Sequence, residues 1–145
     1  MKDQEYIQRV GVGAIIRDET GRILLGCRNV DDNRGKWELL GGLLESAESL
    51  EDGIRREVAE EAGITIEPIT IVAHYDRYFD DKNVRNVGFC FVCKHLSGEP
   101  HMTKHGRVSD FEWVEPRYVF DRDLTPYTKL QLEQYFEWLK VIKDI

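Results

Sequence analysis

The chain has 145 residues, 41% of them hydrophobic and 32% charged, with a formal net charge of -7. That length suits one domain over residues 1–145, able to bury a core without a disulfide or structural metal. The acidic balance argues against a nucleic-acid groove or an anionic membrane surface, and no apolar run approaches the roughly 20 residues of a membrane span.

The start, Met1-Lys2-Asp3-Gln4-Glu5, lacks the basic-then-apolar pattern of a secretory signal, so a cytoplasmic address is expected. Gln8 to Arg17 reads as a strand. Gly11-x-Gly13 lies inside that strand pattern with no helix after it, so the dinucleotide fingerprint is not met. A turn at Asp18–Gly21 leads to a second strand, Gly21–Gly26. Arg28 follows it and reads equally as a phosphate contact or an ordinary surface arginine. Residues 29–36 are polar loop, and Gly41-Gly42 introduces a loop that ends at a helix start. The helix is expected from Ser49, its N-cap, to Ala62, with Gly63 as the stop. Further strands are expected at Ile64–Ala73, Arg77–Phe79, Val84–Lys94 and Val108–Val114. Cys90 and Cys93 sit in the strand run Phe89–Cys93, where odd spacing points their sulfurs to opposite faces, so buried thiols are favoured over metal ligands. A second helix is expected from Thr125-Pro126 to about Ile142, with Leu132, Tyr135, Phe136 and Leu139 as its apolar side. Leu130, Trp138 and Ile142 lie on other sides, which fits either a homodimer contact or a deeply packed helix. The set suggests an α+β fold, an α/β/α sandwich of helices on a mixed sheet.

The informative stretch is Arg56-Glu57-Val58-Ala59-Glu60-Glu61-Ala62-Gly63. At about 100° per residue, Glu57, Glu60 and Glu61 fall on one side of the helix, within reach of one ion. Leu50, Ile54 and Val58 form the apolar stripe, and Glu57 and Glu61 lie at or inside its edge. An acidic cluster is most often a solvated face. Here, however, the carboxylates crowd the helix C-terminus, where the macrodipole disfavours anions. Like charges at i,i+4 also repel, and the cluster is read as having no basic partner one turn away. A divalent cation would convert that repulsion into coordination by hard oxygens, the ligands Mg²⁺ prefers. The same cation would let an acidic protein bind a polyphosphate.

Gly42, five residues, Glu48, seven residues, then Arg56-Glu57-Val58-x-Glu60-Glu61-x-Gly63-Ile64 resembles the Nudix box of the Nudix (MutT-like) hydrolases at every defined position. The likeness extends more loosely over residues 8–115, through Gly11–Ile16, Gly21–Arg28, Trp37 and the Gly41-Gly42 pair to Asp110–Trp113. Two residues depart from the common pattern: Leu40 stands where many members have proline, and Ala47 where many have glycine. Both touch loop shape more than chemistry.

The resemblance implies hydrolysis of a nucleoside diphosphate linked to another moiety, by water attack at phosphorus with Mg²⁺ or Mn²⁺ bound. It implies Glu57, Glu60 and Glu61 as metal ligands, the Gly41 carbonyl as a further oxygen, and Arg28 and Gly42 as substrate contacts. Arg56 would hold Glu57, and Glu48 would pair with Arg56 or reach an ion through water. The general base is a box glutamate or a late-loop carboxylate such as Asp110 or Glu112. His101 and His105 read as exposed loop residues. A small-molecule nucleoside tri- or diphosphate is the expected substrate, with a nucleotide sugar or ADP-ribose as the alternative and a non-catalytic sensor as the reading from another class. Tyr75, Tyr78, Phe79 and Tyr127 are candidates for base stacking, although core packing is the safer assignment for any one of them.

Overall fold

The strand β1 (Ile7–Arg17) is central to the computed structural model, which describes residues 5–143. Most of the leading segment read above, Met1–Gln4, lies outside the described residues. β1 runs parallel to β6 (Val84–Ser97) from Ile7↔Val84 to Arg17↔Lys94. Its other side pairs antiparallel with β2 (Ile23–Arg28) at one end and β4 (Leu40–Leu43) further along. β5 (Thr65–Phe79) covers the far edge of β6. β3 (Trp37–Glu38) and β7 (Val108–Val114) both pair with β2.

Alternation along β1 splits the core between two faces. Val12, Ala14 and Ile16 pack with Ile54, Val58 and Ala62 of helix α1 (Leu50–Ala62). Ile15 belongs to the opposite layer, with Leu132 and Tyr135 of helix α2 (Pro126–Lys143). The result is the expected helix–sheet–helix sandwich. Cys93 is in the first layer and Cys90 in the second, both buried, as the odd spacing requires. Burial pushes both thiols up, Cys93 to about 12, so neither is a reactive thiolate. On α2, Trp138 and Leu139 pack against the core, while Leu130 and Ile142 are exposed. None of the described helices is long and apolar enough to cross a membrane.

Two expectations need correction. The segments 64–73 and 77–79 form one strand, β5: the polar stretch His74-Tyr75-Asp76 between them carries no apolar alternation, yet it pairs in register with Phe89, Gly88 and Val87. The stretch around Gly41-Gly42 is not loop but β4, paired with β1 from Gly11↔Leu43 to Ala14↔Leu40. A four-residue strand with two glycines carries no period-2 signal. Leu40 is buried in the α1 layer, an apolar role suited to leucine.

Ala47 adopts a left-handed conformation, φ 63°, in the turn before α1. An L-residue with a Cβ is strained there, whereas glycine is not. Ala47→Gly is therefore expected to stabilise the fold by about 0.5–1 kcal/mol after the entropy glycine adds to the unfolded chain. Equilibrium urea unfolding would check this; a loss of stability would contradict it.

Candidate active site

Helix α1 begins where the Ser49 side chain accepts from the Asp52 amide, 3.1 Å away, and stops at Gly63, φ 69°, whose N–H donates to the Ala59 carbonyl. Ile54, Val58 and Ala62 are fully buried against the sheet, which fixes the helix's rotation. That rotation leaves Glu57 and Glu61 partly under the helix and Glu60 toward solvent. Their side chains are 13%, 5% and 38% exposed, in the order Glu57, Glu61, Glu60.

Glu61 is the buried member. The Gly41 N–H of β4 donates to its Oε1 at 2.9 Å, and its nearest cation is Arg107, 3.8 Å away. Burial pushes this carboxyl up to about 8, with Glu57 and Glu38 adding to the rise and the Gly41 amide opposing it. Burial also raises Glu57, against the pull of Arg56. The Glu57 carboxylate lies where a side chain at position 42 would go: a Cβ on Gly42 would come within 2.5 Å of it. Gly42 thus lets α1 bring Glu57 against the edge of β4.

Arg56 overturns the expectation that the cluster has no basic partner one turn away. Its guanidinium donates to both Glu48 oxygens, at 2.7 and 3.0 Å, to Glu57 at 3.1 Å, and to Glu60, its i+4 neighbour, at 3.2 Å. It also donates to the Leu43 carbonyl at 3.1 Å. These are contacts that a positioning role for Arg56 would use, they include Glu60 as well as Glu57, and Glu48 is paired with Arg56 through both oxygens. The bond to Arg56 holds the Glu48 carboxyl below the usual range.

Glu61, Gly41, Gly42, Glu38, Arg28 and Arg107 line one part of a pocket of about 630 Å³. Arg28 faces it, but its guanidinium is engaged by the Asp32 and Asp31 carbonyls at 2.5 and 3.3 Å and by Glu38 at 3.4 Å. Among the described residues, no three His, Cys, Asp or Glu side chains are placed together as a group that could hold a metal ion. Glu57 and Glu60 lean on Arg56, while Glu61 turns to Gly41. The donor set nonetheless fits a hard divalent cation. It consists of carboxylate oxygens, one buried with a single amide partner, beside the backbone of two glycines.

The late-loop carboxylates fall elsewhere. Asp110 accepts from the Phe111 amide at 2.9 Å and Glu112 forms a two-bond pair with Arg122; neither lines the pocket. His101 and His105 are exposed, as expected, with His101 set over Gly63. Tyr75, Phe79 and Tyr127 line the pocket, with Tyr75 stacked on Tyr127, whereas Tyr78 turns to Tyr6 and Arg85. Sequence reasoning missed Glu38, Arg77 and Gln131, which also line it. Arg77 and Gln131 belong to elements read only for their hydrophobic pattern, Glu38 to a two-residue strand that was not expected, and no local motif marks any of them.

Residues 7–139 match the model of the NUDIX domain. A MutT-like protein of Streptomyces ambofaciens is 34% identical, the match covering 80% of this chain and 70% of that protein. A nucleoside triphosphatase, NudI, of Escherichia fergusonii is 30% identical over 86% of this chain and 94% of its own length. The crystal structure of a MutT NUDIX hydrolase from Burkholderia pseudomallei superposes with a TM-score of 0.75 at 32% identity, covering 88% of this chain and 98% of that one.

Proposed function

The chain belongs to the Nudix family of hydrolases, and from that premise we propose that it is a Mg²⁺- or Mn²⁺-dependent pyrophosphohydrolase of nucleoside tri- or diphosphates. The observation that carries this reading is the Glu61 carboxylate, 5% exposed, open to the pocket and held by one backbone amide. A buried carboxylate with so little compensation is costly unless a cation joins it.

In this reading Glu57, Glu60 and Glu61 would hold the metal, with the Gly41 carbonyl as a further oxygen. When bound, the ion would supply charge neutralisation for the polyphosphate and a lowered pKa for water. The chain's own residues do the rest. Arg56 positions Glu57 and Glu60, and its pairing with Glu48 fastens the turn before α1 to the helix. Gly42 leaves room for the Glu57 carboxylate beside β4, and its backbone at the pocket wall would meet the substrate. Arg28 and Arg107 lie at the pocket wall, where they would meet phosphate oxygens and offset a net charge of -7.

The test is release of phosphate or pyrophosphate from a panel of nucleoside tri- and diphosphates, nucleotide sugars and ADP-ribose, with Mg²⁺ and with a chelator. Metal-dependent turnover of nucleoside tri- or diphosphates above the other classes is expected. If no compound turns over with any divalent metal, the protein is a sensor on this fold and the proposal fails.

A further inference from the structure

The same pocket has a second wall, built from β5 and the start of α2, that the chemistry proposed above does not use. Tyr75 and Tyr127 stack there, with ring centroids 4.6 Å apart and planes 29° from parallel. Tyr75 lies on bare backbone: a Cβ on Gly88 would come within 2.0 Å of the ring, and one on Gly11 within 2.7 Å of its hydroxyl. The Arg77 guanidinium sits over two ring faces, 5.1 Å from the centre of Tyr127 and 4.7 Å from that of Phe79. Among the described residues it has no carboxylate within ion-pair distance, unlike the other pocket arginines, which face Glu38 and Glu61.

Gln131 completes this wall. It is 5% exposed, lies against Gly13 of β1, and its side-chain amide makes no hydrogen bond to any described residue. Its neighbour one turn along α2 shows the contrast: the Gln134 amide donates to the His74 carbonyl and accepts from the His74 N–H. The Tyr127 hydroxyl, also on this wall, is buried without a partner. Buried polar groups are normally paired, and leaving one unpaired is costly. An amide that lines the pocket with no hydrogen bond of its own, beside stacked rings and a cation with no counter-charge among the described residues, marks a surface made for a flat, polar ligand.

We propose that this wall reads the nucleobase and favours bases with a lactam edge, guanine, hypoxanthine or uracil, over adenine. The proposal rests on the nucleotide-hydrolase reading above. A glutamine amide presents a donor and an acceptor side by side, matching a ring N–H next to a carbonyl. Turned over, the same amide would suit adenine, so Gln131 alone does not choose. Arg77 decides, because a guanidinium has donors only. It adds a bond to a carbonyl oxygen and has nothing to offer an exocyclic amino group. Contact with the ring edges and the Arg77 plane holds any base, and the polar pair selects among them.

The experiment uses the full chain, with kcat/KM measured on GTP, UTP, ATP and a base-free ribose 5-triphosphate in Mg²⁺. Binding of GMP, UMP and AMP without metal is followed in parallel by quenching of tyrosine and tryptophan fluorescence. GTP and UTP are expected to exceed ATP by about 10-fold or more, and GMP and UMP to bind more tightly than AMP. Arg77→Met should bring GTP and UTP to within about 3-fold of ATP, and Gln131→Leu should lower all three nucleotides by about 10-fold relative to the base-free compound. Gln131→Glu, with acceptors only, should keep GTP, whose ring N–H and amino group both donate, and weaken UTP and ATP, which present an acceptor beside the donor. Equal losses on every substrate, base-free turnover matching GTP, or monophosphate binding indifferent to the base would each overturn the proposal. Absence of all hydrolysis would instead defeat the hydrolase reading, and the ranking of the monophosphates would still decide the base wall.

Discussion

Glu61→Gln is expected to remove nearly all turnover while making the metal-free protein more stable at alkaline pH. The two effects share one cause. In the fold the carboxyl is pushed up to about 8, against 4.5 for an ordinary glutamate, chiefly by burial. The folded state therefore holds this proton more tightly than the unfolded chain does. The stability so gained is fully present below about pH 4.5, declines as pH rises, and is gone above about pH 8. For one group the loss amounts to a few kcal/mol. An amide at position 61 carries no such penalty and still offers an oxygen to the Gly41 N–H. Thermal melts from pH 5 to 9 in chelator should thus fall for the wild type and stay flatter for the variant. Mg²⁺ should restore the wild type at pH 8, because a bound cation takes the proton's place. Activity should fall about 10³-fold, since a neutral oxygen holds the metal poorly. A variant that kept activity within a few-fold, or a wild type with no metal-dependent gain at pH 8, would remove Glu61 from the site.

Residue 61 also shows why part of this site was legible in the sequence. A carboxylate inside the apolar arc of an amphipathic helix breaks the pattern that folding alone would favour, and such breaks mark function. Periodicity located the helix, its Ser49 and Gly63 caps, and the side on which Glu57, Glu60 and Glu61 emerge. The strands β1, β6 and β7 were legible for the same reason, being runs of β-branched and aromatic residues. β4 was not, because its hydrogen bonds come from pairing with β1, thirty residues away, and its glycines serve Glu57 and the pocket. Gln131 shows a different limit. On a helical wheel it is one polar residue among several, and only the packing of α2 against β1 places its amide over Gly13. Arg107 and Glu61 are 46 positions apart in sequence, and no local rule pairs them.

Arg56 carries the other large effect. One guanidinium there serves four carboxylates, Glu48, Glu57, Glu60 and, at 3.6 Å, Glu45. Its side chain is 21% exposed, so solvent screens the charges only in part. Arg56→Met would leave these carboxylates facing one another around an apolar stem and remove the tie to the Leu43 carbonyl that anchors β4. The expected cost is about 2–3 kcal/mol, below the full penalty for breaking a buried pair because the site is partly open. Turnover should fall about 10²-fold even under conditions where the variant is fully folded, because Glu57 and Glu60 lose the donor that sets their orientation. Arg56→Lys separates charge from shape. An ammonium restores attraction to the cluster but cannot bond two Glu48 oxygens and two further carboxylates from one plane. Lysine should therefore recover most of the stability and little of the activity. Urea unfolding together with kcat and KM at saturating Mg²⁺ would test this. If the lysine enzyme matched the wild type in both, charge alone would explain Arg56, and the positioning role assigned to its fork would be wrong.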